Sequence, residues 1–172
     1  MNVAVSVITP VVALIGVFLG GWLSYRNQDR LWWRDHERQW RDQRLSIYQE
    51  FLAASREYIA FALEPTAKIV ARPHPRLRGH LMPYFDEAGR PYKEHLEAGM
   101  VAVCLVADTA KAVETSPELV RSVRQIAAWR ADHEAGDRGD ELFDAFWAAE
   151  AAFVAAARDE LGLTPGPRAA SP

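Results

Sequence analysis

The sequence predicts an all-α fold: one N-terminal transmembrane helix that continues into a helical stalk and then into an antiparallel four-helix bundle. Three observations lead to this fold class. Residues 3–25 form an apolar run with no ionisable side chain before Tyr25. Residues 26–63 contain neither proline nor glycine, so one helix can continue through them. From Tyr92 onward, apolar side chains recur every three or four residues, which is the helical period.

The apolar run at residues 3–25 is long enough to cross a lipid bilayer. At about 1.5 Å per residue it exceeds the hydrocarbon thickness of about 30 Å. A cleaved signal peptide is disfavoured, because no Lys or Arg precedes the run and because the run is longer than a signal core. Six arginines follow it between Arg26 and Arg44. By the positive-inside rule we expect a single-pass protein of the cell membrane with its C-terminal domain in the cytoplasm.

Small residues lie on one face of this predicted membrane helix. Gly16, Gly20 and Ser24 follow one another at intervals of four residues. The Gly16–Gly20 pair forms a GxxxG pattern, which lets two membrane helices approach closely. The pattern predicts a seam for a homodimer, although glycine is also frequent in membrane helices that do not pair.

The remainder of the 172-residue chain has room for a single compact domain. We expect a stalk over residues 26–40, a bundle over residues 41–163 and a disordered tail over residues 164–172. The first bundle helix should end before Pro65, because the residue preceding a proline avoids helical geometry.

Three patterns predict the other helices. Tyr92–Glu114 contains the run MVAVCLVA, which is apolar on all sides and is typical of a buried central helix; Cys104 would then be a core residue. Ser116, Pro117 and Glu118 form a helix-start pattern of N-cap, proline and acid. Residues 139–141 should begin the last helix, and Gly162 should end it.

The connection between Pro65 and Pro91 holds five prolines and predicts a long irregular loop. It also holds the most basic segment of the chain. In an up-and-down bundle this loop lies at the end far from the membrane, where it could contact a protein partner or an anion. The alternative is a solvated loop without a ligand. The candidate contact residues are Arg72, His74, Arg76, Arg78 and His80.

No pattern in the sequence predicts catalysis, a cofactor or a metal site. The five histidines lack the spacing of helical metal ligands, and the single cysteine excludes a cysteine-based zinc site. Nucleotide-binding and nucleophile-elbow motifs are absent from the sequence. The net charge of −3 gives no basic field for nucleic acid.

Two segments carry a resemblance to a known group of proteins: IYQEFLAASREY at Ile47–Tyr58 and FVAAARDELGL at Phe153–Leu163. With the apolar N-terminus and the Arg-rich stalk, the chain resembles uncharacterised actinobacterial single-pass membrane proteins. These have an N-terminal anchor and an Ala/Leu-rich helical domain. The resemblance implies an architecture, and it implies no catalytic residue.

These patterns together predict a membrane-tethered helical interaction or scaffold protein with an unidentified protein partner. Two alternatives remain open. One is an exported, spanin-like envelope protein with the bundle outside the membrane. The other is an enzyme that uses His, Asp and Glu residues near the basic loop.

Overall fold

The computed structural model describes residues 36–75, 81–133 and 139–163. Within these ranges the protein is mostly helical, as predicted, with four helices and one short β-hairpin. The chain divides into two units, Met1–Asp42 and Gln43–Pro172. In the described part of the first unit, Trp40 Nε1 donates a hydrogen bond of 2.8 Å to His36 Nε2.

Helix α1 covers residues 36–63. From Gln43 onward, one face of this helix is buried, and it includes Tyr48, Phe51 and Tyr58, each at most 2% exposed. The predicted end of this helix is confirmed, since Leu63 is its last residue and Pro65 lies in the turn that follows.

The connection after α1 forms a β-hairpin, so the prediction of an irregular loop is wrong for these strands, and the mostly helical fold includes a short two-stranded sheet. Strand β1 (Ile69–Pro73) pairs antiparallel with strand β2 (Leu81–Phe85). The side chains alternate: Ile69 and Phe85 pack against the core, whereas Val70 and Tyr84 are exposed.

Helix α2 (Arg90–Val106) corrects two further predictions. It ends eight residues before the predicted boundary at Glu114. It is also not a buried central helix, because only its inner face is covered. Val101 is 52% exposed, Leu105 is 79% exposed, and Cys104 is exposed rather than in the core.

Helix α3 (Ala110–Arg130) begins after Thr109, so the predicted start at Ser116 is wrong. Pro117 lies inside this helix. Proline cannot donate to the carbonyl four residues earlier, which here belongs to Val113. Ser116 Oγ donates to that carbonyl instead, at 3.2 Å, and is itself fully buried. Ser116 therefore supplies the hydrogen bond that Pro117 cannot make inside the helix. The sequence pattern had indicated a helix start at this position.

Helix α4 (Asp140–Glu160) ends as predicted. Gly162 has a φ of +66°, which favours glycine. The Gly162 amide donates to the Asp159 carbonyl at 3.1 Å, and the Leu163 amide donates to the Arg158 carbonyl at 2.8 Å. These two bonds form a Schellman motif, which satisfies carbonyls at the helix end.

The helices of the second unit share one core and run antiparallel to their neighbours. Near its start, α1 contacts the end of α4 through Tyr48 and Glu160, and further along it contacts Glu150 through Arg56. The same reversal relates α1 to α2, where Phe61 stacks on Tyr92. The largest fully buried apolar side chains of this core are those of Tyr48, Phe51, Tyr58, Leu96, Val103, Leu119, Val123, Ile126 and Phe153.

None of the helices in the described ranges is both long enough and apolar enough to cross a membrane. The predicted membrane helix at residues 3–25 lies outside those ranges, as do the dimer-seam residues Gly16, Gly20 and Ser24.

Candidate functional site

A groove runs along α3 on the side that faces the β-hairpin. It consists of two cavities that share Leu81 and Gln125 in their walls, and we call it the hairpin groove. The first cavity, of about 230 Å³, is lined by His74, Leu81, Met82, Met100, Pro117, Val120, Arg121, Arg124 and Gln125. The second, of about 300 Å³, is lined by Leu81, Gln125, Ala128, Trp129, Asp132, His133 and Leu142.

An aromatic cluster at the base of the hairpin positions this groove. The Phe85 ring lies edge-on to Tyr58 at 5.0 Å and tilted against Phe61 at 5.7 Å. Phe61 also stacks on Tyr92 at 4.7 Å. The pair Pro73–Leu81 ends the β-ladder at the opposite end of the hairpin. One end of the hairpin is thus packed into the core, and the other end forms a wall of the groove.

The floor of the groove is apolar and its polar lining is rich in hydrogen-bond donors. Met82 and Met100, the two methionines that follow Met1 in the sequence, both line the first cavity. Arg121 pairs with Glu118 at 2.5 Å, and Arg124 pairs with Glu97 at 2.8 Å. Each of these pairs engages one guanidinium nitrogen, whereas a guanidinium carries five N–H donors.

Where α1, α4 and the α2–α3 turn meet, several donors converge on a single carboxylate, the side chain of Glu160. We call this set of Arg44, Tyr48, Asp108, Thr109 and Glu160 the Glu160 junction. Tyr48 Oη and Thr109 Oγ1 donate to the carboxylate at 2.6 and 2.7 Å. The backbone amides of Asp108 and Thr109 donate at 3.2 Å each, and Arg44 Nη1 donates at 3.3 Å.

The Glu160 junction explains why α3 begins directly after Thr109. The Glu160 side chain, only 1% exposed, holds the amides of the α2–α3 turn, and Thr109 Oγ1 accepts a hydrogen bond from the Ala112 amide as an N-cap. Arg44 also pairs with Asp108. A side chain that lies 51 residues further along the chain therefore fixes this helix boundary.

The electrostatics of the Glu160 junction indicate a structural role. Burial by itself would raise the pKa of Glu160, but the hydrogen bonds from Tyr48, Thr109 and the Asp108 amide outweigh it and hold the pKa below its usual range. Burial, together with the hydrogen bond to Glu160, raises the pKa of Tyr48 above its usual value. A carboxylate held ionised by five donors is a poor proton acceptor, so this cluster does not resemble a catalytic base.

The structure separates the predicted anion-contact residues that it describes. His74 lines the first cavity of the hairpin groove. Arg72 is not among the lining residues of either cavity, and its guanidinium lies 5.3 Å from the centre of the Tyr84 ring. Arg76, Arg78 and His80 lie outside the described residues.

The histidines with described contacts take part in local interactions. His95 Nδ1 lies 3.4 Å from a carboxylate oxygen of Glu57, and His133 stacks on Trp129 at 4.5 Å. Across residues 36–75, 81–133 and 139–163, His, Cys, Asp and Glu side chains form no group of three that is placed to hold a metal ion.

Sequence reasoning missed the groove because it missed the hairpin. A signal was present in the β-branched and aromatic pairs Ile69-Val70 and Tyr84-Phe85. Pro73 and Pro83 obscured it, since proline is rare inside sheets. In a two-stranded sheet both strands are edges, so a proline can be accommodated there.

Comparisons of the chain with known protein families, with curated proteins and with solved structures find no match. The resemblance to actinobacterial single-pass membrane proteins therefore stays a prediction.

Proposed function

We propose that this chain is a membrane-tethered helical interaction protein that binds a segment of a partner protein in its hairpin groove. Residues 3–25 form the tether in this proposal, and residues 43–163 hold the binding domain. The groove is the observation that carries the proposal. An apolar surface concavity with a few polar groups at its edge is the usual form of a binding site.

The contacts of the buried hydroxyl groups also favour binding over catalysis. The hydroxyls of Ser55, Ser116 and Ser122 donate to carbonyls of their own helices, at 2.9, 3.2 and 2.8 Å. A hydroxyl used in this way is not aligned with a general base, as a nucleophile would be. The proposal therefore assigns no enzymatic activity.

Site-specific photocrosslinking in cells tests the binding role. A photoreactive amino acid at Gln125, which lines both cavities, should give a discrete adduct with a partner protein. The same amino acid at Ala53, exposed on α1, is the matched control. Adducts of the same size at both positions, or no adduct at Gln125, would contradict the proposal.

Deletion of residues 3–25 tests the tether. The full chain should stay with the membrane fraction after an alkaline wash, and the deleted chain should not. C-terminal fusions to a cytoplasm-active fluorescent protein and to an exterior-active phosphatase then report the orientation. Fluorescence without phosphatase activity is expected for a cytoplasmic domain; the reverse result would contradict that orientation.

A further inference from the structure

We infer that the segment bound in the hairpin groove is an acidic amphipathic helix, with two apolar anchors on one face and carboxylates directed toward Arg121 and Arg124. This inference rests on the proposed function and names the chemistry of the partner.

The spacing of the two cavities sets the spacing of the anchors. Val120 lines the first cavity and Ala128 lines the second. They are eight residues apart on one helix, which corresponds to a rise of about 12 Å. In a bound helix, side chains seven or eight residues apart lie on one face and are separated by a similar rise of about 11–12 Å. This spacing is the anchor pattern of helices bound in grooves.

The apolar floor suits leucine or aromatic anchors. Met82 and Met100 line the first cavity and Trp129 lines the second. Methionine is unbranched and polarisable, so a surface that contains it adapts to the shape of an apolar partner. Leu81 lies between the cavities and is 43% exposed, which leaves apolar area to be covered by a partner.

The charges of the groove select an acidic partner. The polar residues lining the first cavity are His74, Arg121, Arg124 and Gln125, and none of them is a carboxylate. Asp132 lines the second cavity. Carboxylates of a bound helix are therefore favoured beside Arg121 and Arg124 and disfavoured near Asp132, so the helix binds in one direction.

Glu118 and Glu97 already pair with these arginines, but they leave room for a second acceptor. The Arg121 side chain remains 44% exposed and that of Arg124 28% exposed. A partner carboxylate can thus use guanidinium N–H groups other than those on the paired nitrogens.

Methionine methyl NMR on the full-length chain tests this inference. The probes are two synthetic helical peptides of about four turns, with leucines two turns apart and either glutamates or lysines between them. Signals of Met82 and Met100 are assigned by the volume-conserving variants Met82→Leu and Met100→Leu. The glutamate peptide should shift both signals, and the lysine peptide should shift neither.

Matched variants locate the charge. Arg121→Gln should weaken binding of the glutamate peptide about tenfold, the effect of losing one charge-assisted hydrogen bond. Arg90→Gln is the control, because Arg90 forms an i,i+3 pair with Glu87 as Arg121 does with Glu118, and it does not line the groove. The control should bind as the unmodified chain does. An unchanged thermal unfolding midpoint verifies that each variant is folded.

Several results would overturn the inference. The lysine peptide could bind as tightly as the glutamate peptide, or Arg121→Gln could bind as tightly as Arg90→Gln. A glutamate peptide interrupted by proline could bind as tightly as the intact helix. Vesicles of an anionic phospholipid could shift both methionine signals without peptide, which would identify a lipid site. The inference would also be overturned if neither peptide shifted the Met82 and Met100 signals. In that case, crosslinking at Gln125 would still support the proposed function, with a partner of different chemistry.

Discussion

The Glu160 junction and the hairpin groove both place arginine and glutamate side chains at the edge of the helical core, but they differ in which groups are satisfied. At the junction, five donors surround a carboxylate whose side chain is 1% exposed. At the groove, the carboxylates that pair with Arg121 and Arg124 are 57% and 39% exposed. The cavities beside these arginines have apolar floors. The comparison indicates that the junction holds the fold together, whereas the groove leaves guanidinium donors and apolar surface exposed.

The largest loss of stability is expected when the junction loses its carboxylate. Glu160→Ala should lower the free energy of unfolding by about 3–5 kcal/mol, because the buried donors lose their acceptor and Arg44 loses one of its carboxylate partners. Urea unfolding at neutral pH measures this loss. The control is Glu118→Ala in the exposed groove pair, for which we expect a loss of at most about 1 kcal/mol. Equal losses for the two variants would contradict the distinction between junction and groove.

Acidification should remove the same stabilisation. The pKa of Glu160 is lower in the folded state than in the unfolded state, so its contribution is complete above the unfolded pKa. It is lost as the pH falls through the usual carboxyl range, about 4, toward the lower folded value. Denaturant midpoints of the unmodified chain and of Glu160→Gln should therefore converge as the pH falls. If the difference between the two midpoints did not depend on pH, the charge of Glu160 would not contribute to stability.

A smaller effect is expected when one donor is removed from the junction. Tyr48→Phe keeps the edge-on ring contact with Phe153, at 5.7 Å between centres, but it loses the 2.6 Å hydrogen bond. We expect a loss of about 1.5–3 kcal/mol, as for a hydrogen bond to a charged group. Tyr84→Phe, on the exposed face of the hairpin, should change stability by less than about 0.5 kcal/mol. Similar unfolding midpoints for the two variants would contradict the assignment.

The attachment of the hairpin can be perturbed separately. A Cβ atom at Gly89 would lie 2.6 Å from both Phe61 Cε1 and Phe85 Cβ, so Gly89→Ala should lower stability by about 1–3 kcal/mol through overpacking. The displaced hairpin should also shift the methyl NMR signal of Met82. Gly162→Ala should cost about 1 kcal/mol through its positive φ alone and leave that signal in place. An unshifted Met82 signal in Gly89→Ala would show that the groove does not depend on this contact.

The smallest effect on stability is expected at the groove itself. Arg121→Gln removes an i,i+3 surface pair and should change the free energy of unfolding by at most about 0.5 kcal/mol. Thermal unfolding without ligand measures this change. A loss as large as that of Tyr48→Phe would show that the groove arginine supports the fold.

The helical faces were predictable because burial follows apolar spacing. Leu119, Val120, Val123, Ile126 and Ala127 recur at helical spacing in the sequence, and each is at most 2% exposed. The same reasoning could not show which apolar faces lack a neighbour. Val101 and Leu105 have the residue types of a core but lie on the outer side of α2.

Predictions of helix boundaries were wrong where a residue distant in the sequence determines the boundary. The Ser116-Pro117-Glu118 pattern is a local helix-start signal, yet the helix begins at the turn that Glu160 holds. The groove could not be predicted for a related reason. It exists only because the hairpin packs beside α3, and no local pattern in α3 indicates that neighbour.

The contact between the first and last helices has a consequence for the chain during its synthesis. Tyr48 and Glu160 are 112 residues apart, and Phe51 packs edge-on to Phe153 at 5.1 Å. The ribosome makes α1, the hairpin, α2 and α3 before it makes α4. The apolar face of α1 that contacts α4 therefore stays uncovered in the nascent chain until α4 has been made. The last helix therefore closes the domain, and a chain that stops before Phe153 would present that face to chaperones.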